Sequence, residues 1–96
     1  ALANEVRSCA HWVAPTVGRP KPVAAAGLAP VLVLSTTGDA ATPLVNAVKV
    51  AAELPAAGLV TAENEGHTAY GRSFCVDSIV ADYFETGRVP EEVHRC

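Results

Sequence analysis

The chain has 96 residues, of which 18 are Ala and 14 are Val, with aromatic residues at only 5%; this is one domain at most, with a thin core built from small side chains. Seven basic against ten acidic residues give a net charge of −3, and with no Lys/Arg cluster to track a phosphate backbone no nucleic-acid partner is expected. No apolar run approaches the roughly 20 residues that span a bilayer, so no membrane span is expected either. The first residues, Ala-Leu-Ala-Asn-Glu-Val-Arg, show neither an initiator Met nor the basic and apolar regions of a signal peptide, and the chain is expected to start within a longer protein.

Residues 1–29 read as an irregular connecting segment, because Pro15, Pro20, Pro22 and Pro30 with Gly18 and Gly27 break any long period. A short helix is expected from Leu2 to Cys9, followed by an extended connection from Val13 to Ala29. Residues 30–96 form the ordered unit. Val31-Leu32-Val33-Leu34-Ser35 is a continuous β-prone run of the kind covered on both faces of a sheet. After the turn residues Thr37-Gly38-Asp39, Thr42 is the expected N-cap and Pro43 the first helical position of a helix ending near Leu54, stopped by Pro55. Its apolar side is Val45, Val48 and Ala52 with Leu44 and Ala51. Leu59-Val60-Thr61-Ala62 is a second strand, so strand, helix and strand make a parallel βαβ unit. A last helix from Phe74 to Thr86 has Ser73 as N-cap and Gly87 as stop, and places Val76, Ile79, Val80, Tyr83 and Phe84 on one face. The fold class is therefore α/β, a β-α-β-α unit preceded by an irregular segment with a short helix. The tail from Arg88 to Cys96 is read as polar and without an element of its own.

The three cysteines are an odd count. Cys75 and Cys96 flank the last helix at a separation of 21 residues, and their pairing is the expectation; a closed loop of that length stabilises by about 3 kcal/mol on the chain-entropy estimate. Cys9 is then left unpaired or joined to another chain, and the alternative is three free thiols in a reducing compartment. Cys9 and His11 together are only half of a zinc site, no second pair has ligand spacing, and no metal or other cofactor is expected. Trp12 is read as a core or interface plug.

Two polar residues stand just past the carboxyl ends of the two strands, where open parallel sheets place their ligands: Asp39 after the first and His67 after the second. A carboxylate accepting from one imidazole nitrogen fixes the tautomer and leaves the other nitrogen free as a general base. The plainer readings are that Asp39 only braces its turn and that His67 is a surface histidine. Glu63 and Glu65 flank Asn64 just before His67; Glu65 is a candidate for binding a cationic group such as a substrate amino terminus, the alternative being a solvated charge.

The segments Ala29-Pro30-Val31-Leu32-Val33-Leu34, Thr37-Gly38-Asp39-Ala40-Ala41-Thr42-Pro43, Leu54-Pro55 and Gly66-His67-Thr68-Ala69-Tyr70-Gly71, extended by Cys75-Val76-Asp77, Tyr83-Phe84, Gly87 and Cys96, resemble the C-terminal part of the tripeptidyl-aminopeptidase-like (TAP-like) serine hydrolases of the α/β-hydrolase fold. The resemblance covers roughly residues 29–96, and more loosely Cys9 to Trp12. It implies that Asp39 and His67 are the acid and base of a Ser, Asp, His triad in that chain order. No Gly-x-Ser-x-Gly elbow or Gly-rich oxyanion loop occurs in the 96 residues, so the nucleophile is expected from an upstream hydrolase segment. The 96 residues alone are accordingly expected to be inactive. The implied parent is a secreted or cell-envelope serine exopeptidase acting on short peptides with a free amino terminus. The alternative is a non-catalytic domain serving as an interaction or packing module. The isolated chain is expected to associate with itself or to be marginally stable.

Overall fold

In the computed structural model the described residues are 7, 10–15, 17–19, 21–22 and 25–96. The helix expected from Leu2 to Cys9 falls almost entirely outside them, as does Cys9 with any pairing of it. The described residues from 11 to 30 contain neither helix nor strand. Trp12, expected to plug a core or interface, is 76% exposed there.

Beyond Pro30 the chain alternates strand and helix. β1 (Val31–Gly38), α1 (Leu44–Glu53), β2 (Ala57–Glu65), α2 (Phe74–Thr86) and β3 (His94–Arg95) follow one another, and the strands form one parallel sheet in the order β1-β2-β3. β1 and β2 pair in register from Val31 with Ala57 to Thr36 with Ala62, and after an irregularity Gly38 pairs with Glu65. This is the expected parallel β-α-β-α unit with a short third strand added.

The pleat divides the side chains between two layers. Val60 and Ala62 of β2 with Leu32 and Leu34 of β1 face α2, where Val76 and Val80 are buried and Ile79 and Cys96 pack around them, with Ala69 closing the cluster. Leu59 and Thr61, buried on β2, share a groove on the opposite face with Leu44 and Val48 of α1. α1 buries no residue. Its partly buried positions are Leu44, Ala47, Ala51 and Glu53, whereas Val45, Val48 and Ala52 of the expected apolar side are exposed. Leu44 and Val48 line the groove against the sheet, with Val48 still about half exposed, while Val45 stands largely free of it. On α2, Phe84 is likewise exposed rather than part of the inward face; its ring instead lies 5.6 Å from that of Tyr83.

The ends of α2 follow their local signals. The Val76 N–H donates to Ser73 Oγ at 3.2 Å, and Gly87 adopts φ 69° with its N–H on the Tyr83 carbonyl, the left-handed stop that costs glycine least. The start of α1 differs from expectation: Pro43 occupies the N-cap position without a side-chain capping bond, because the Thr42 hydroxyl is directed to Asp39 instead. Both long strands run past their apolar stretches into the polar residues Thr36-Thr37-Gly38 and Glu63-Asn64-Glu65. The tail is not featureless either, since β3 pairs with Val60 and Thr61 and the Cys96 N–H donates to the Thr61 carbonyl at 2.7 Å. Cys75 and Cys96 are joined in a disulfide with a Cα separation of 5.8 Å, which fastens this tail to the start of α2.

Candidate active site

The carboxyl ends of β1 and β2 are tied together by backbone and hydroxyl hydrogen bonds. The Gly66 N–H donates to the Gly38 carbonyl at 3.1 Å, the buried Thr36 hydroxyl donates to the Gly66 carbonyl at 2.6 Å, and the Thr37 hydroxyl donates to the Asn64 carbonyl at 3.4 Å. The loop after β2 turns sharply at this tie. Gly66 has φ 96° and Thr68 has φ 73°, so the residue between them, His67, is held between two left-handed positions. For a β-branched residue such as Thr68 that conformation carries a cost of about 1–3 kcal/mol, sustained by the tie at Gly66 on one side and by the buried Ala69 on the other.

The consequence is a carboxylate–imidazole pair. His67 Nδ1 lies 2.9 Å from Asp39 Oδ2, with the Asp39 side chain 3% and the His67 side chain 57% exposed. Asp39 is held from its own turn as well: the Ala41 and Thr42 N–H groups both donate to Oδ1 at 2.9 Å, and the Thr42 hydroxyl donates to Oδ2 at 2.6 Å. The Thr42 hydroxyl above all, then the Thr42 N–H, the His67 ring and the Ala41 N–H, hold the Asp39 carboxyl well below the usual carboxylate range, against a partial opposing effect of burial. An ionised carboxylate only accepts, so Nδ1 is the donor in the pair and Nε2 is the unprotonated nitrogen of the neutral ring. Thr42 Oγ1 stands 3.2 Å from the same Nδ1.

A cavity of about 250 Å³ opens beside the pair, lined by Leu34, Ser35, Thr36, Thr68, Ala69 and Tyr70 together with Asp39, Thr42 and His67. Larger cavities lie elsewhere, among them one of about 530 Å³ between α2 and the tail near Asp82, Arg88 and His94. Chemistry rather than volume selects the smaller one: among the described residues, its imidazole is the one paired with a carboxylate.

Of the residues singled out from the sequence, Asp39 and His67 are brought together and Cys75 is joined to Cys96. Glu65 is not part of this group: its carboxylate lies over Gly38, where a Cβ would collide with it, and it lines a separate open concavity with Thr37, Glu63 and Asn64. The Arg72 guanidinium donates to the Glu65 backbone carbonyl at 2.9 Å. Thr42, Thr36 and Thr68 were not anticipated as parts of the site; the spacing of Thr42 three residues after Asp39, the reach of a side chain to its own turn, is the signal that finds the first of them. Among the described residues, Cys75, His94 and Cys96 are the group of metal-ligand types that lies close together, and both of its sulfurs are engaged in the disulfide.

The whole chain, residues 1–96, matches the family described as TAP-like protein. Carboxylesterase B of Mycobacterium tuberculosis is 43% identical over 89 residues, covering 92% of this chain and 17% of that protein. Serine protease Hip1 of Mycobacterium tuberculosis is 36% identical over 90 residues, covering 93% of this chain and 17% of that protein, and Hip1 of Mycobacterium bovis matches to the same extent. The chain therefore spans about a sixth of the length of these relatives. With its parallel β-α-β-α architecture and a match over every residue, the chain belongs to the TAP-like family of α/β-hydrolases.

Proposed function

We propose that this chain contributes the acid and the base of a Ser–His–Asp triad to a longer serine hydrolase, secreted or held in the cell envelope, that releases short peptides from a free amino terminus. The observation that carries the reading is the 2.9 Å contact of His67 Nδ1 with a buried carboxylate that four donors keep ionised. The names of the relatives, a carboxylesterase and a serine protease, share acyl transfer to water as a reaction type. A disulfide between Cys75 and Cys96 suits an oxidising compartment.

Asp39 holds the Nδ1–H of His67, so that Nε2 is directed away from the carboxylate. In the full-length protein Nε2 accepts the proton of the nucleophilic Ser as it attacks the acyl carbon, and Asp39 stabilises the imidazolium that results. His67 then returns this proton to the leaving amine or alcohol, and a water molecule is activated by the same nitrogen to release the acyl group. The serine and the oxyanion donors come from the upstream segment.

Steady-state kinetics of the full-length protein test the reading. Asp39→Asn is expected to lower kcat by about 10⁴-fold and His67→Ala by about 10⁶-fold, with the fold intact. Full turnover in either variant removes that residue from the triad. A tripeptide anilide should be cleaved when its amino terminus is free and not when it is acetylated; equal rates on both would point to an esterase or an endopeptidase.

A further inference from the structure

Oδ2 of Asp39 accepts twice, once from the His67 ring and once from the Thr42 hydroxyl at 2.6 Å. The same hydroxyl oxygen lies 3.2 Å from His67 Nδ1, so it is the third member of a closed triangle with the carboxylate and the imidazole. His67 has little else to hold it. Its side chain is more than half exposed, and no other hydrogen bond of its ring occurs among the described residues. The hydroxyl thus fixes which lone pair of Oδ2 remains for the imidazole, and through that the plane of the ring. Thr is suited to this because its branched Cβ restricts χ1.

Bracing of the loop is a separate matter, carried by the backbone: the Ala41 and Thr42 N–H groups reach Oδ1 whatever side chain stands at position 42. The helix does not depend on the hydroxyl either, since α1 begins after Pro43 with no side-chain cap. Hydroxyl and turn can therefore be separated by substitution.

We infer that Thr42 is a positioning residue of the hydrolase, its hydroxyl setting the Asp39 oxygen and the His67 ring in the orientation that proton transfer requires; this rests on the triad reading given above. The Oγ1 proton stays on Thr42 throughout, and no bond to substrate is formed. Thr42 acts through Asp39 and His67 alone.

The test compares Thr42→Val, nearly the same shape without the donor, with Thr42→Ser, which keeps it, in the full-length enzyme. Thr42→Val is expected to lower kcat by about 10- to 100-fold, the range for losing one hydrogen bond to a charged group, while KM stays within about twofold. Thr42→Ser is expected to recover kcat to within about threefold of the parent, short of full recovery because its χ1 is freer. The far-downfield proton resonance of His67 Nδ1–H should move in the Val variant and return in the Ser variant. If Thr42→Val does not fold, Thr42→Ala is compared with Thr42→Ser on the same three readouts. A parental kcat in the Val or Ala variant, or a Ser variant no better than Val, overturns the inference. The outcome is separable from failure of the triad itself: His67→Ala and Asp39→Asn variants with parental kcat sink the triad reading, whereas inactive triad variants beside a fully active Thr42→Val sink the role of Thr42 alone.

Discussion

Asp39 shows how a charge is kept on a buried carboxylate. Its two oxygens take two backbone N–H groups, one hydroxyl and one imidazole N–H, and each of these favours the ionised form. The folded-state pKa is depressed relative to the unfolded value of about 3.9, so the folded state binds the proton less readily than the unfolded one. The stabilisation that results is fully present above about pH 4 and is lost as pH falls from there through the folded pKa. Chemical denaturation of the full-length protein between pH 2 and 7 is expected to show a loss of stability on acidification that is shallower in Asp39→Asn; equal slopes would mean that Asp39 contributes no such linkage. Gly66 makes a different demand. Its φ of 96° disfavours any L side chain, and a Cβ there would stand 3.1 Å from Arg72 Nη1. Gly66→Ala is expected to cost about 1–2 kcal/mol and to lower kcat, because the same residue anchors the loop to Thr36 and Gly38. Unchanged melting and turnover would show that the loop absorbs the change elsewhere.

At the level of elements, what could be read from the sequence was what local chemistry decides. Ser73 and Gly87 bound α2 because a hydroxyl and a left-handed glycine act within one turn, and Val31 opens β1 because an unbroken β-prone run admits little else. The pairing of Asp39 with His67 was legible because loops after adjacent parallel strands converge. What was missed depends on partners distant in sequence. The polar ends of β1 and β2 stay extended through the ties between Thr36, Gly38 and Gly66, Val45 is left largely exposed while Val48 lines the groove against β2, and β3 exists through contacts with Thr61 and through the disulfide. Thr42 is the exception, a local one: a good N-cap residue was drawn to a carboxylate three positions before it. Two predictions belong here. β3 is only two residues long, so its attachment relies on the bridge; Cys75→Ser with Cys96→Ser is expected to lower stability by about 3 kcal/mol, read as a lower Tm that added reductant does not lower further, and peptide mapping that joins Cys9 to either cysteine would refute the pairing. Gly58 lies under the chain after α2, and a Cβ there would meet Val89 Cβ at 2.6 Å and the Pro90 carbonyl at 2.8 Å. Gly58→Ala is expected to cost about 1–3 kcal/mol by overpacking, and a Tm equal to the parent would show that the tail segment shifts freely.

On the scale of the whole molecule the surface is large for a compact domain of this mass. The chain of 9.9 kDa exposes 7422 Å², whereas a compact monomer of that mass exposes about 5,200 Å². Its radius of gyration is 16.4 Å, against about 12–13 Å for a compact domain of this length. Large apolar side chains are exposed both before β1, at Trp12, Val13 and Val17, and within the ordered unit, at Val45 and Val48 on α1, Phe74 and Phe84 on α2, Tyr70 beside the site and Val93 in the tail, and β1 stands at the edge of the sheet with one side unpaired among the described residues. The relatives it matches are about six times as long as this chain. An eight-residue edge strand beginning Val-Leu-Val-Leu is a ready template for strand pairing. The 96-residue chain produced alone is therefore expected to associate through β1, or to populate its folded state only marginally, at micromolar concentration. Sedimentation velocity combined with thermal melting decides the matter. Concentration-dependent oligomers, or a broad low-temperature transition, are the expected result, and a charged substitution on the edge strand such as Val33→Lys should suppress the oligomer. A monomer that unfolds cooperatively at high temperature would mean that the exposed faces need no cover, and would favour an independent packing module over a segment whose stability depends on the rest of the hydrolase.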